Sequence, residues 1–127
     1  MSFKTESFKN TAATIISHLE KRGMSGIYCE TKEDIVAKVN ELIPDGSSVT
    51  WGGSETLVES GVLASLQNGN YELIDRKAAK TPEESRVLYG KIVCADYFLM
   101  STNALTVDGQ LINIDGNGNR VACLING

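Results

Sequence analysis

Short apolar runs of strand type alternate with helical patterns along most of this chain, and that alternation restricts the fold more than any other feature. GIYCE (26–30), SSVTW (47–51), YELID (71–75) and YFLMS (97–101) are the strand-like runs. Between them lie segments with apolar residues at helical spacing, the pattern of a largely parallel sheet covered by helices. The first helix carries Phe8, Ala12, Ile15, Ile16 and Leu19 on one stripe and stops near Gly23. His18, the single histidine, falls at the margin of that stripe and is expected as a solvated edge residue.

The boundaries are marked by capping chemistry. Thr31 precedes Ile35, Val36, Val39, Leu42 and Ile43, an apolar face that ends at Pro44-Asp45-Gly46. Leu57, Val58, Val62, Leu63 and Leu66 give a third helical pattern, which Gly61 is expected to split. Thr81-Pro82-Glu83-Glu84 combines an N-cap hydroxyl, a proline at the first helical position and a carboxylate at the third, predicting a helix to about Ala95. After residue 101 the pattern changes. Residues 103–107 and 110–114 flank Asp108-Gly109, a hairpin signature, and VACLI (121–125) can open a further helix.

With 127 residues, 42% of them hydrophobic and 22% charged, the chain matches one ordinary globular α/β domain and not a disordered one. No apolar run approaches the ~18 residues of a membrane span. The start, MSFKTESFKNT, has no apolar core of a secretory signal. A net charge of −4 argues against nucleic acid and acidic membranes as partners. Cys29, Cys94 and Cys123 are far apart and form neither a disulfide framework nor a metal site. Cys94 and Cys123 sit in apolar runs, where core packing is the expectation, and a reducing cytoplasm is the simplest setting.

In open α/β sheets ligands bind beyond the carboxyl ends of the strands, so the loops leaving strands are the candidate sites. Trp51-Gly52-Gly53-Ser54 passes from strand to helix through two glycines. Gly52 and Gly53 can bring backbone N–H groups close to an anion, with Ser54 adding a hydroxyl. The same residues also suit a tight turn with a serine cap. Thr102 and Asn103 follow the fourth strand-like run and can bond a polar ligand or simply fill a turn. Asp115-Gly116-Asn117-Gly118-Asn119-Arg120 adds a carboxylate, two amides and a guanidinium. Arg120 is the one basic residue after Lys91, which makes it the expected principal cation, able to grip carboxylate or phosphate with two bonds. The alternative is a solvated turn closed by an Asp115–Arg120 ion pair. This loop lacks the third glycine of a dinucleotide fingerprint, and no Walker A sequence occurs.

VTWGGSETL, NYELIDR and ADYFLMSTNALTVDGQLINIDGNGNRVA together resemble the lactate-utilisation (LUD) domain proteins, of the wider group that holds sugar-phosphate isomerases, CoA transferases and glucosamine-phosphate deaminases. The resemblance implies a Rossmann-like three-layer α/β/α sandwich with a mostly parallel sheet. It places a ligand region at Gly52–Ser54, 101–103 and Asp115–Arg120. It implies a stand-alone member that binds a small anionic or polar metabolite, as an enzyme or enzyme subunit linked to lactate use. An iron–sulfur subunit is among the partners such proteins take. The other reading is a non-catalytic metabolite-binding or assembly module. Neither the residues nor the resemblance names a cofactor, a catalytic residue or a metal ligand. Relatives are longer, and LING (124–127) ends where an element is expected to continue, so 1–127 reads as the N-terminal part of a longer domain. A sheet left uncovered there leads to the expectation of a homo-oligomer.

Overall fold

The computed structural model describes residues 3–115 and 119–126. Its elements are α1 (Phe3–Lys21), α2 (Lys32–Leu42), β1 (Ser48–Trp51), α3 (Glu55–Glu59), α4 (Val62–Gln67), β2 (Glu72–Ile74), a single 3-10 turn (Arg76–Ala78), α5 (Pro82–Val93), β3 (Tyr97–Leu99), β4 (Ala104–Leu105), β5 (Leu111–Ile112) and α6 (Asn119–Asn126). They fall into two compact units, one holding the chain up to Glu30 with Thr102–Ile114, the other Thr31–Ser101 and the segment from Asp115.

In the first unit α1 ends through a left-handed glycine. Gly23 has φ +82°, its N–H bonds the carbonyl of Glu20, and that of Met24 reaches back to Leu19. This satisfies two of the carbonyls that a helix end leaves over. β4 and β5 pair antiparallel, Ala104 with Ile112 and Leu105 with Leu111. Gly109 turns the hairpin at φ +81°. A Cβ there would also lie 3.0 Å from both the Cβ of His18 and the backbone N of Leu19, so glycine is required twice over. His18 is half-buried behind this turn.

Two expectations fail in this unit. Residues 26–30 form no strand, because no neighbouring strand among the described residues offers them a ladder. They lie against α1 instead, with Gly26 so close to Ile16 that an added Cβ would meet its Cγ1 at 2.8 Å. Phe8 departs from the apolar stripe of α1 and is exposed, with the Lys4 ammonium 5.9 Å from its ring centre.

The second unit is a Rossmann-like α/β arrangement on a parallel sheet of order β2-β1-β3. Val49 pairs with Leu73 on one side and Tyr97 on the other, while Thr50 pairs with Ile74 and Phe98. Side chains alternate across a strand, so these two rows face opposite ways. The Val49 row packs on Ile43, Val62 and Leu66, with Ile35, Val36 and Val39 of α2 closing the cluster. Burying Val62 and Leu66 contributes roughly 1.5–3 kcal/mol each, which is what holds the two-turn α4 in place. The Thr50 row meets Tyr89 and Ile92 of α5 beside Phe98. Thr50 itself is fully buried and donates its hydroxyl to the carbonyl of Ile74 at 2.8 Å.

The caps follow the sequence. Thr31 and Thr81 accept from the N–H groups of Asp34 and Glu84, each at 3.1 Å, and the Glu84 carboxylate reaches back to the Lys80 N–H. Gly61, at φ +85°, separates α3 from α4. Cys123 is buried in α6 as expected, but Cys94 is exposed. It ends α5, and a residue past the last turn no longer shares the face that the helix buries.

Candidate functional site

The crossing pattern of the sheet sets the site. β1 connects to β2 on one side, through helices on the Val49 face, and the chain then returns past β1 to form β3. Such a reversal opens a crevice at the carboxyl ends of the two adjacent strands. Here those ends are Trp51 and Leu99. Gly52 continues the pairing, donating its N–H to the carbonyl of Leu99 at 2.9 Å. That donor is therefore committed to the sheet.

Ser54 caps α3 by accepting from the Leu57 N–H at 3.3 Å, and its hydroxyl lies 2.6 Å from that of Ser101. The two loops leaving β1 and β3 are thus joined by a short hydroxyl pair. Gly53 is exposed and does not have a positive φ. What it supplies is room: a Cβ at this position would sit 2.7 Å from Nη2 of Arg76.

Arg76 enters from the loop after β2. Asp75 caps the 3-10 turn by accepting from the Lys77 N–H at 2.9 Å, which fixes the backbone that carries the arginine. A small cavity of about 90 Å³ forms where these pieces meet, lined by Trp51, Gly52, Gly53, Arg76, Tyr89, Ile92, Phe98, Asp115 and Arg120. Two arginines and one aspartate are among its lining residues. Asp115 also accepts from the Val121 N–H at 3.1 Å, holding the first turn of α6. Burial pushes the thiol of Cys123, further along that helix, above its ordinary pKa, and the charge of Asp115 adds to the shift. A thiol held protonated is a poor nucleophile. A groove of about 590 Å³ runs along α5, but it is shallow, away from the strand ends, and lined with Ala78, Ala79 and Val87.

The model of the LUD domain family matches residues 12–126. The chain belongs to the LUD domain family. Neither a curated protein nor a solved structure matches it. The family places this LUD domain in a group related to lactate utilisation.

The expected site residues of this LUD domain are distributed unevenly. Gly52, Gly53, Asp115 and Arg120 line one cavity, and Ser54 lies beside it through its bond to Ser101. Thr102 and Asn103 belong to the other compact unit, where they close the hairpin. The Thr102 hydroxyl lies within 3.2 Å of the Ala104 and Ile112 carbonyls and of Asn113 Oδ1, and Asn103 Oδ1 accepts from the Ile114 N–H at 3.0 Å. Asn119 opens α6, and Asn117 lies outside the described residues.

Arg76 is the residue that the sequence reading missed, so Arg120 is not the only arginine at the cavity. The signal was present: YELID ends a strand, and the same rule that selected the other loops selects Asp75-Arg76-Lys77. Among the described residues no group of three His, Cys, Asp or Glu side chains is placed to hold a metal ion, and no helix is long and apolar enough to cross a membrane.

Proposed function

We propose that this LUD domain binds a small anionic metabolite, of carboxylate or phosphate class, at the carboxyl ends of β1 and β3, as an enzyme or enzyme subunit linked to organic-acid use. The observation that carries the reading is the approach of Arg76 and Arg120 to one cavity at a topological switch point. Two planar guanidiniums can each give an anion a pair of parallel N–H bonds. The lining charges are two positive against one negative, and Trp51, Tyr89 and Phe98 reduce the water that would screen them. The three cysteines of this chain are dispersed, and among the described residues they make no donor set for an iron–sulfur group.

The second reading is a module that holds a metabolite without transforming it. It is favoured by the described lining of the cavity, which sets no Ser, Cys or Lys nucleophile beside a base. It is also favoured by the Ser54–Ser101 pair, in which the nearest hydroxyls are turned on each other.

Calorimetric titration with small mono- and dicarboxylates, hydroxy acids and inorganic phosphate tests the site. Wild type should bind a member of the series, with affinity reduced in both Arg76→Ala and Arg120→Ala. Binding that neither variant affects would remove the proposal. Turnover assays on the ligand so found separate the two readings.

A further inference from the structure

One side of α5 has no partner among the described residues of its own compact unit. Glu83, Val87, Gly90 and Cys94 follow one another at intervals of four, three and four residues, the spacing of a helix–helix seam, and all four are exposed. Val87 is 64% exposed. Beside it runs the groove of about 590 Å³, floored by Ala78, Ala79, Val87 and Leu88 and edged by Lys80, Glu83, Glu84 and Lys91. Gly90 stands in the helix interior with nothing within 4 Å of where its Cβ would be. A glycine there weakens the helix relative to alanine, and no neighbour among the described residues requires it. A second helix lying close would require it.

We propose that α5 is the two-fold contact of a dimer of this chain, with the α5 helices of the two copies antiparallel and Val87 on the axis. The charges select this occupant. Glu83 and Lys91 stand four residues to either side of Val87. Antiparallel pairing about Val87 sets Glu83 of each copy opposite Lys91 of the other, giving two ion pairs by symmetry. Glu84 then opposes Gly90, where the glycine leaves room. A parallel pairing sets like charges together and loses both ion pairs. An isologous contact needs a patch that complements itself, and this face meets that condition with its own residues. The apolar centre and charged rim are the ordinary anatomy of such a contact.

Sedimentation velocity over a wide concentration range, with circular dichroism on the same samples, tests the dimer. Wild type should dimerise reversibly, and Val87→Asp should be monomeric with unchanged helix content. Glu83→Lys and Lys91→Glu should each weaken association by about tenfold, since a rim attraction becomes a repulsion. The double variant Glu83→Lys/Lys91→Glu should recover it. That double variant opposes the helix dipole more than either single one, so a loss caused by a weaker helix would deepen where the dimer predicts rescue. A wild type monomeric throughout, a dimer indifferent to Val87→Asp, or a double variant associating no better than the singles would each overturn the proposal.

Discussion

The hydroxyls of Ser54 and Ser101 lie 2.6 Å apart and tie the loop leaving β1 to the loop leaving β3. Ser54 has a second duty as the cap of α3, so the two serines are not equivalent. Ser54→Ala should cost about 1–3 kcal/mol, a lost cap plus a lost hydroxyl pair, and Ser101→Ala about 0.5–1.5 kcal/mol. The double variant should fall short of the sum by about 1 kcal/mol, because the pair can be lost only once. Urea unfolding of the four proteins measures this. Strict additivity would show that the two hydroxyls do not interact in solution.

Gly53 gives a different outcome. Its φ is not positive, so a side chain meets no backbone strain; the conflict is with the guanidinium of Arg76. That group is the far end of a flexible side chain and can swing away. Gly53→Ala should therefore change stability by no more than about 0.5 kcal/mol. Anion affinity should fall, since Arg76 is displaced from the cavity. Melting temperature and affinity measured on the same variant decide the matter; a large loss of stability with intact binding would place the constraint in the backbone.

The three thiols should react in a fixed order. Cys94 is exposed, Cys29 half-buried, and Cys123 buried with its pKa raised. Only the thiolate is reactive, so Cys123 is disfavoured by both access and ionisation. Timed alkylation at neutral pH, at a dilution that keeps the chain monomeric, followed by peptide mass analysis, should label Cys94 first and Cys123 last. The raised value also means that the contribution of Cys123 is complete below the unfolded thiol's pKa and is lost as pH rises through the folded one.

Features that depend on a few adjacent residues were legible in the sequence. The caps at Thr31 and Thr81, the break at Gly61 and the Asp108-Gly109 turn all follow from local chemistry, and the sheet followed from the alternation of strands and helices. What failed depended on partners distant in sequence. GIYCE has strand composition, yet no strand among the described residues pairs with it to complete a ladder. Cys94 sits in an apolar run but on the outward side of a helix end. Arg76 stands in a loop without glycines or amides, and its charge acts on a cavity built mostly by other loops. Thr102 and Asn103 look alike as ligand groups or as hairpin locks until their acceptors are known.

Asp108 makes the hairpin acid-sensitive. A hydrogen bond from the Thr106 side chain is the main cause of its lowered pKa; desolvation opposes it, and a backbone hydrogen bond and the charges of Arg22 and His18 add smaller lowering effects. A depressed folded-state value means a contribution that is complete above the unfolded carboxyl range and lost as pH falls through the lowered value. The Gln110 N–H, which Thr106 Oγ1 accepts at 2.8 Å, is a local reporter. Its chemical shift should titrate below the ordinary aspartate range, and Asp108→Asn should abolish that titration. A shift that persists in the variant would assign it to another group.

Arg76 and Arg120 are expected to act together on one anion. If both guanidiniums contact it away from water, either alanine variant should lose roughly 2–5 kcal/mol of binding, and far less at a wet rim. Salt separates these cases: a screened rim contact weakens between low and high ionic strength, whereas an enclosed one hardly changes. Arg120→Lys should recover only part of the loss, because an ammonium cannot supply two parallel bonds. The double alanine variant should lose less than the sum of the single losses, since an anion released from one guanidinium no longer sits well on the other. Asp115 provides the control. It holds the α6 N–H of Val121, so Asp115→Asn should lower stability while removing the one negative charge facing the cavity. Anion affinity should then rise or hold. If affinity instead fell with Asp115→Asn and was unchanged by both arginine variants, the carboxylate would be the ligand contact and the site would select cations.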